Sequence, residues 1–140
     1  MQRKNMCGAL IKQIHDELGK KANAMLRGQD LTLSQMNVLM ELEAVDSHQL
    51  SLKELEGLLH VAQSTAAGIV VRLEQKGFVV SFTDENDHRV KKVSITASGM
   101  ACCRNAVSDI QDMEAQLLHE LTESEKILFR DLLEKVFRGL

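Results

Sequence analysis

Residues 51–96 read SLKELEGLLHVAQSTAAGIVVRLEQKGFVVSFTDENDHRVKKVSIT, and the spacing of the apolar residues changes partway through. Ser51 and Glu54 have capping-box spacing and open a short helix carrying Leu52, Leu55, Leu58 and Leu59. A second helix is predicted from about Gln63 to Lys76, with Ala62 where an oxygen-bearing cap is expected and Gly77 closing it. Phe78–Thr83 and Lys92–Thr96 are β-branched and aromatic-rich, and the polar turn Asp84–Arg89 joins them at hairpin length. Two short helices joined by a tight turn and followed by a hairpin make a winged helix-turn-helix. Such a unit places its second helix in the DNA major groove.

Outward from this unit the period is helical. The first 27 residues predict a helix with Leu10, Ile11, Ile14, Leu18, Ala22, Met25 and Leu26 at helical spacing, ended by Gly28. Thr32 and Gln35 repeat the capping box and open a helix to about Ala44, with Met36, Leu39, Met40 and Leu42 as its apolar positions. After Thr96, the residues Met100, Cys103, Val107, Ile110, Met113, Leu117 and Leu121 recur at a mean step of 3.5. Thr122 and Glu125 open a last helix with Ile127, Leu128, Leu132, Leu133, Val136 and Phe137. A step near 3.5 fits a seam against a long helix of a second copy and, equally, packing against the chain's own helices. The fold class expected is mainly α with a small β-hairpin wing.

Composition narrows the functional classes. A chain of 140 residues with 44% apolar and 26% charged content is one soluble domain's worth. Proline, tryptophan and tyrosine are absent and four phenylalanines remain, so the core must be aliphatic. No apolar run is long enough for a membrane helix, and no basic region leads into an apolar stretch as in a secretory signal. Three cysteines without paired spacing suit a reducing compartment, so a cytoplasmic protein is expected. His15, His48, His60, His88 and His119 are scattered, which argues against a metal site. No glycine-rich phosphate loop, His-Glu-x-x-His or nucleophile elbow is present, so neither an enzyme nor a cofactor is expected.

The net charge of −3 is unevenly spread. Residues 1–29 carry six bases against two acids, and residues 30–60 carry Lys53 against six acids. Residues 61–92 hold Arg72, Lys76, Arg89, Lys91 and Lys92 against four acids, and the remainder five bases against eight acids. An acidic total argues against indiscriminate polyanion binding but leaves room for a local basic site in the third block.

On a helical wheel of 63–76, Ala66, Ile69, Val70 and Leu73 form the core face, leaving Ser64, Ala67, Gly68, Val71, Arg72 and Gln75 opposite. Gln63, Ser64 and Thr65 are the hydrogen-bonding groups at its N-terminal end, Gly68 permits close approach, and Arg72 is the phosphate clamp. Ser51, at the start of the preceding helix, is a further DNA-binding candidate. Arg89, on a thin projecting turn with His88 beside it and Lys91 and Lys92 following, suits a narrow minor groove. Asp87 is assigned the role of orienting that turn through Arg89. An isolated Asp-x-x-Asp-x-Arg is ordinarily a solvated turn; its place directly after a helix-turn-helix gives it the second reading.

With these stretches assembled, residues from about 30 to 100 resemble the MarR family of bacterial winged-helix transcription regulators. The resemblance rests on Leu31-Thr32-Leu33-Ser34-Gln35, Ser64-Thr65, Arg72 through Val79, the wing Asp84 through Lys91, and Thr96-Ala97-Ser98-Gly99. It implies a homodimer, with residues 1–28 and 98–140 as dimerisation helices flanking a DNA-binding lobe at 30–97, all within a single domain 1–140. It further implies a palindromic operator and a small effector, aromatic or phenolic, that releases a repressor. Ala67-Gly68 stands where many members have Thr-Arg, His88 replaces a frequent arginine, and Val71 stands where a polar residue is usual. Val71 suits either a thymine methyl or a plain surface position. Cys7, with Lys4 nearby, and Cys102 are the candidate redox residues, while Cys103 falls on the apolar stripe. The tyrosine-held thiolate of peroxide-sensing relatives has no counterpart in a chain without tyrosine. The alternatives to a repressor are a winged-helix protein-interaction module with weak or lost DNA binding, and a cysteine-based redox-sensing regulator.

Overall fold

The computed structural model describes residues 5–140, and the chain forms two compact units, one ending at Asp109 and the other running from Ile110 to Leu140. In order, the elements are α1 (Cys7–Leu26), a 3-10 turn (Arg27–Gln29), α2 (Leu33–Ala44), β1 (Gln49–Ser51), α3 (Leu52–Leu59) and α4 (Gln63–Gln75). These are followed by β2 (Val79–Thr83), β3 (Lys91–Ile95), α5 (Ala97–Leu117) and α6 (Glu123–Arg138). The boundary between the two units falls inside α5, between Asp109 and Ile110.

The three capping boxes form as their spacing predicts. Thr32, Ser51 and Thr122 each accept from the backbone N–H three residues on, at 3.2, 3.0 and 3.2 Å, and each receives the reciprocal bond from Gln35, Glu54 or Glu125. Leu26, Met36, Leu39, Leu42, Leu55 and Leu73 are fully buried and make the first unit's core almost purely aliphatic. Burying each contributes about 1.5–3 kcal/mol before conformational entropy is charged against it. Met40 and Leu58, expected on apolar faces, are 39% and 47% exposed, whereas Val38, not among the expected apolar positions, is fully buried.

Two helix ends differ from expectation. Gly28 does not terminate α1: it lies inside the 3-10 turn, and Asp30 takes the left-handed conformation (φ 55°) that reverses the chain, its N–H donating to the Arg27 carbonyl at 3.0 Å. Asp tolerates this region through its short polar side chain, so the reversal needs no glycine there. At the other end of the chain α5 stops at Leu117, so Leu121 lies in the turn before α6, where its N–H donates to the Leu118 carbonyl at 3.0 Å.

Strand β1 is too short for periodicity to reveal. It pairs antiparallel with β3, Leu50 opposite Val93, so the sheet order is β1-β3-β2 and the wing hairpin is anchored by a third strand. The hairpin is also tied to α5. Thr96 Oγ1 donates to the Gly77 carbonyl at 2.7 Å and accepts from Gly99 N–H at 3.0 Å, capping α5. A Cβ at Gly99 would stand 2.2 Å from the Phe78 carbonyl oxygen, which explains the glycine.

The second unit is the end of α5, a turn, and α6. On α6, Ile127, Leu128, Leu132, Leu133, Val136 and Phe137 are 43–67% exposed. Among the described residues no helix is long and apolar enough to cross a membrane.

Candidate nucleic-acid interface

The turn between α3 and α4 is made by His60 in the left-handed region (φ 55°), its N–H and that of Val61 both returning to the Glu56 carbonyl. Three residues separate the end of α3 at Leu59 from the start of α4 at Gln63. Its inner face is set by Ala66, Val70 and Leu73, each no more than 1% exposed, with Ile69 half-buried at the margin. Gln63, Ser64, Thr65, Gly68, Val71, Arg72 and Gln75 are exposed, the outer face that the wheel predicts.

Ala62 occupies the N-cap position and no side chain caps the helix. The first-turn amides of α4 therefore keep their partial positive charge without a side-chain acceptor, beside the exposed hydroxyls of Ser64 and Thr65. Gly68 has nothing within 4 Å of a built Cβ and an ordinary backbone, so packing does not demand glycine there. Ser51 is only 9% exposed and its hydroxyl already accepts from Glu54 N–H, which leaves its one proton to donate.

The wing turn closes through Asp84 N–H to the Val90 carbonyl at 2.9 Å and Val90 N–H to the Asp87 carbonyl at 3.0 Å. Asp87 then holds Arg89 three ways: Oδ1 accepts from the backbone N–H and from Nε, both at 3.1 Å, and Oδ2 accepts from Nη2 at 3.3 Å. These bonds, the side-chain ones foremost, hold the Asp87 carboxyl below its ordinary value of 3.8. The guanidinium is fixed yet the Arg89 side chain remains 90% exposed, an oriented cation at the tip of a hairpin. His88 and Lys91 are exposed beside it. Lys92 is not free: its Nζ pairs with Asp84 Oδ1 at 3.6 Å across the base of the turn. Sequence reading counted Lys92 among the wing's cations, though an acid opening the turn opposite a base on the returning strand was a usable sign.

The cysteines separate differently from expectation. Cys102, expected to be the accessible one, is buried, its Sγ 3.8 Å from the Gln29 carbonyl, and burial raises its pKa. Cys103 is fully buried, and burial together with Glu43 pushes its thiol up to about 12. A thiol held protonated is a poor nucleophile, so neither fits an oxidant sensor. Cys7 is exposed at the start of α1; Lys4, its expected neighbour, lies outside the described residues. Among the described residues no group of three His, Cys, Asp or Glu side chains could hold a metal.

The MarR family profile matches residues 31–91, the stretch from the end of the 3-10 corner to the start of β3. The transcriptional repressor MprA of Escherichia coli is 26% identical over 131 residues, covering 94% of this chain and 72% of that protein. Among solved structures, a Staphylococcus aureus MepR–DNA complex superposes with a TM-score of 0.90 at 26% identity, covering 96% of this chain and 98% of that one. A mutant E. coli MarR complexed with operator DNA gives 0.84 at 28% identity, covering 92% and 91%. Sequence profile, relatives and fold agree on what this chain is similar to: the transcriptional regulators of the MarR family, whose profile its residues 31–91 match.

Proposed function

We propose that this protein is a homodimeric, sequence-specific DNA-binding regulator of the cytoplasm, a repressor released by a small aromatic or phenolic ligand. α4 enters the major groove and reads base edges with Gln63, Ser64 and Thr65 while Gly68 lets its backbone approach and Arg72 clamps a phosphate. Arg89 enters the minor groove, oriented by Asp87, and Ser51, His88 and Lys91 hold the flanking backbone. The observation that carries this reading is the wing: a guanidinium fixed by two hydrogen bonds to Asp87, with a third to Asp87 from the Arg89 backbone N–H, and still 90% exposed is pre-organised for a partner outside the protein. The DNA complexes of the MepR and MarR relatives support the same assignment.

Dimerisation draws on the exposed apolar residues of α6 and on Leu10, Ile11 and Ile14 of α1, 41–50% exposed. Stripes of this kind are unfavourable in water and mark an interface.

The test is a titration of the purified protein against duplex from its own promoter and against random duplex of equal length. A preference for the promoter at moderate salt, with a dimer in sedimentation, is the expected result. Equal, weak binding to both at low salt would instead favour a protein-interaction module.

A further inference from the structure

Lys76 stands at the C-terminal end of α4, among the five bases of residues 61–92, and by charge alone it reads as one more phosphate contact. Its geometry says otherwise. Nζ donates to the backbone carbonyl of Asp30 and, at 2.8 Å, to Gln35 Oε1, and lies 3.8 Å from Asp30 Oδ1. Two of the ammonium's three protons are engaged by these hydrogen bonds, and the Asp30 carboxylate adds an ion pair beside them. The side chain keeps 23% of its exposure, against 87% for Asp30.

The acceptors belong to the corner between α1 and α2, more than 40 residues away in sequence. That corner is tightly built. Asp30 is left-handed, Leu31 N–H returns to the Leu26 carbonyl at 3.1 Å, and the 4%-exposed Gln35 also serves the α2 capping box through the same Oε1. On the other side of the α4 terminus, Gly77 at φ 77° turns the chain into β2, its N–H donating to the Glu74 carbonyl at 2.9 Å. The end of α4 is thus fixed covalently to the wing and, through one ammonium, to the corner that follows α1.

We propose that Lys76 is a positioning residue: it contacts no phosphate, and it sets the placement of α4 against the α1–α2 corner so that the reading face meets base edges in register. This deepens the DNA-binding reading and rests on it. A displaced helix loses base contacts, which depend on ångström-scale fit, while contacts that any duplex offers survive.

Lys76→Met, Lys76→Arg and the unaltered protein are compared on promoter and random duplex across a salt series below the melting temperature. Lys76→Met is expected to lower the promoter-to-random affinity ratio about tenfold, the scale of one charge-assisted hydrogen bond. Affinity for random duplex and its salt slope stay unchanged, and Lys76→Arg, which still donates to both oxygens, restores the ratio. Equal loss on both duplexes with the slope reduced by about one identifies a phosphate clamp and overturns the proposal. A lower melting temperature with the ratio intact identifies a structural role alone and also overturns it. Hydrogen exchange provides an arm without DNA: in Lys76→Met the Asp30 and Leu31 amides should exchange about tenfold faster. Unchanged exchange defeats the joint. Should the unaltered protein show no promoter preference, the DNA-binding reading fails, and this exchange result decides the joint by itself.

Discussion

Arg89→Ala and Asp87→Ala, made singly and together, separate charge from orientation at the wing. Removing Arg89 deletes one groove contact, worth about 10- to 100-fold in promoter affinity. It also leaves the Asp87 carboxylate uncompensated, and a bare charge about 6 Å from a phosphate in water adds roughly threefold of repulsion. Removing Asp87 keeps the cation and frees it from both side-chain bonds that fix it, along with the one from the Arg89 backbone N–H. Exposed pairs of this kind contribute little, so promoter affinity should fall within about fivefold, while random-duplex affinity rises because the turn has lost a negative charge. The double variant should bind the promoter about threefold better than Arg89→Ala, since the repulsive carboxylate has gone with its partner. The pH range matters. Asp87 is held below 3.8, so the pair is fully formed above that value and is lost only as pH falls through the depressed one. Fluorescence anisotropy between pH 6 and 8 therefore reads a single charge state. If the two single effects simply multiply in the double variant, Asp87 does not act through Arg89, and the orientation argument fails.

Gly99→Ala places a Cβ 2.2 Å from a backbone oxygen that cannot swing aside; overpacking of about 1–3 kcal/mol, less up to about 1 from helix propensity, should lower the melting temperature. Gly57→Ala, with nothing within 4 Å, should raise stability by about 0.5–1 kcal/mol, and identical signs for the two would refute the close-approach reading. A thiol reagent at pH 8 should modify Cys7 alone among the three cysteines, with Cys102 and Cys103 reacting only after denaturation; a second fast thiol in the native protein would contradict their burial. For a dimer whose proposed DNA-facing cations are Arg72, Arg89 and Lys91 of each copy, the log affinity should fall with log salt at a slope near −5. A slope much steeper would bring in bases outside the proposed set.

What was legible in the sequence was whatever nearest-neighbour chemistry decides. Capping boxes at Thr32, Ser51 and Thr122 are three-residue devices, and all three formed. The inner face of α4 followed from a 3.6-residue period, and the Asp87–Arg89 pair from a spacing of two. What was not legible depends on partners far away in the chain. Strand β1 exists because β3 offers it a ladder, not because three residues carry a period. Cys102 looked exposed from the stripe of its own helix, yet Gln29 lies over it. Left-handed Asp30 and His60 were missed for a related reason: both residues tolerate that conformation without advertising it as glycine would.

The same distinction resolves how a protein of net charge −3 can serve a polyanion. Of the five bases between residues 61 and 92, two are consumed internally: Lys76 in the α1–α2 corner and Lys92 against Asp84. Arg89 is paired as well, but its partner shares its surface and leaves it 90% exposed, so the pair orients the cation without hiding it. The bases that fix the frame and those that face outward thus lie within one short stretch, and counting charge cannot tell them apart. Affinity in such a site must come chiefly from placement rather than from the number of cations. Small errors in the seating of α4 or of the wing should therefore cost more here than the removal of any one surface base elsewhere.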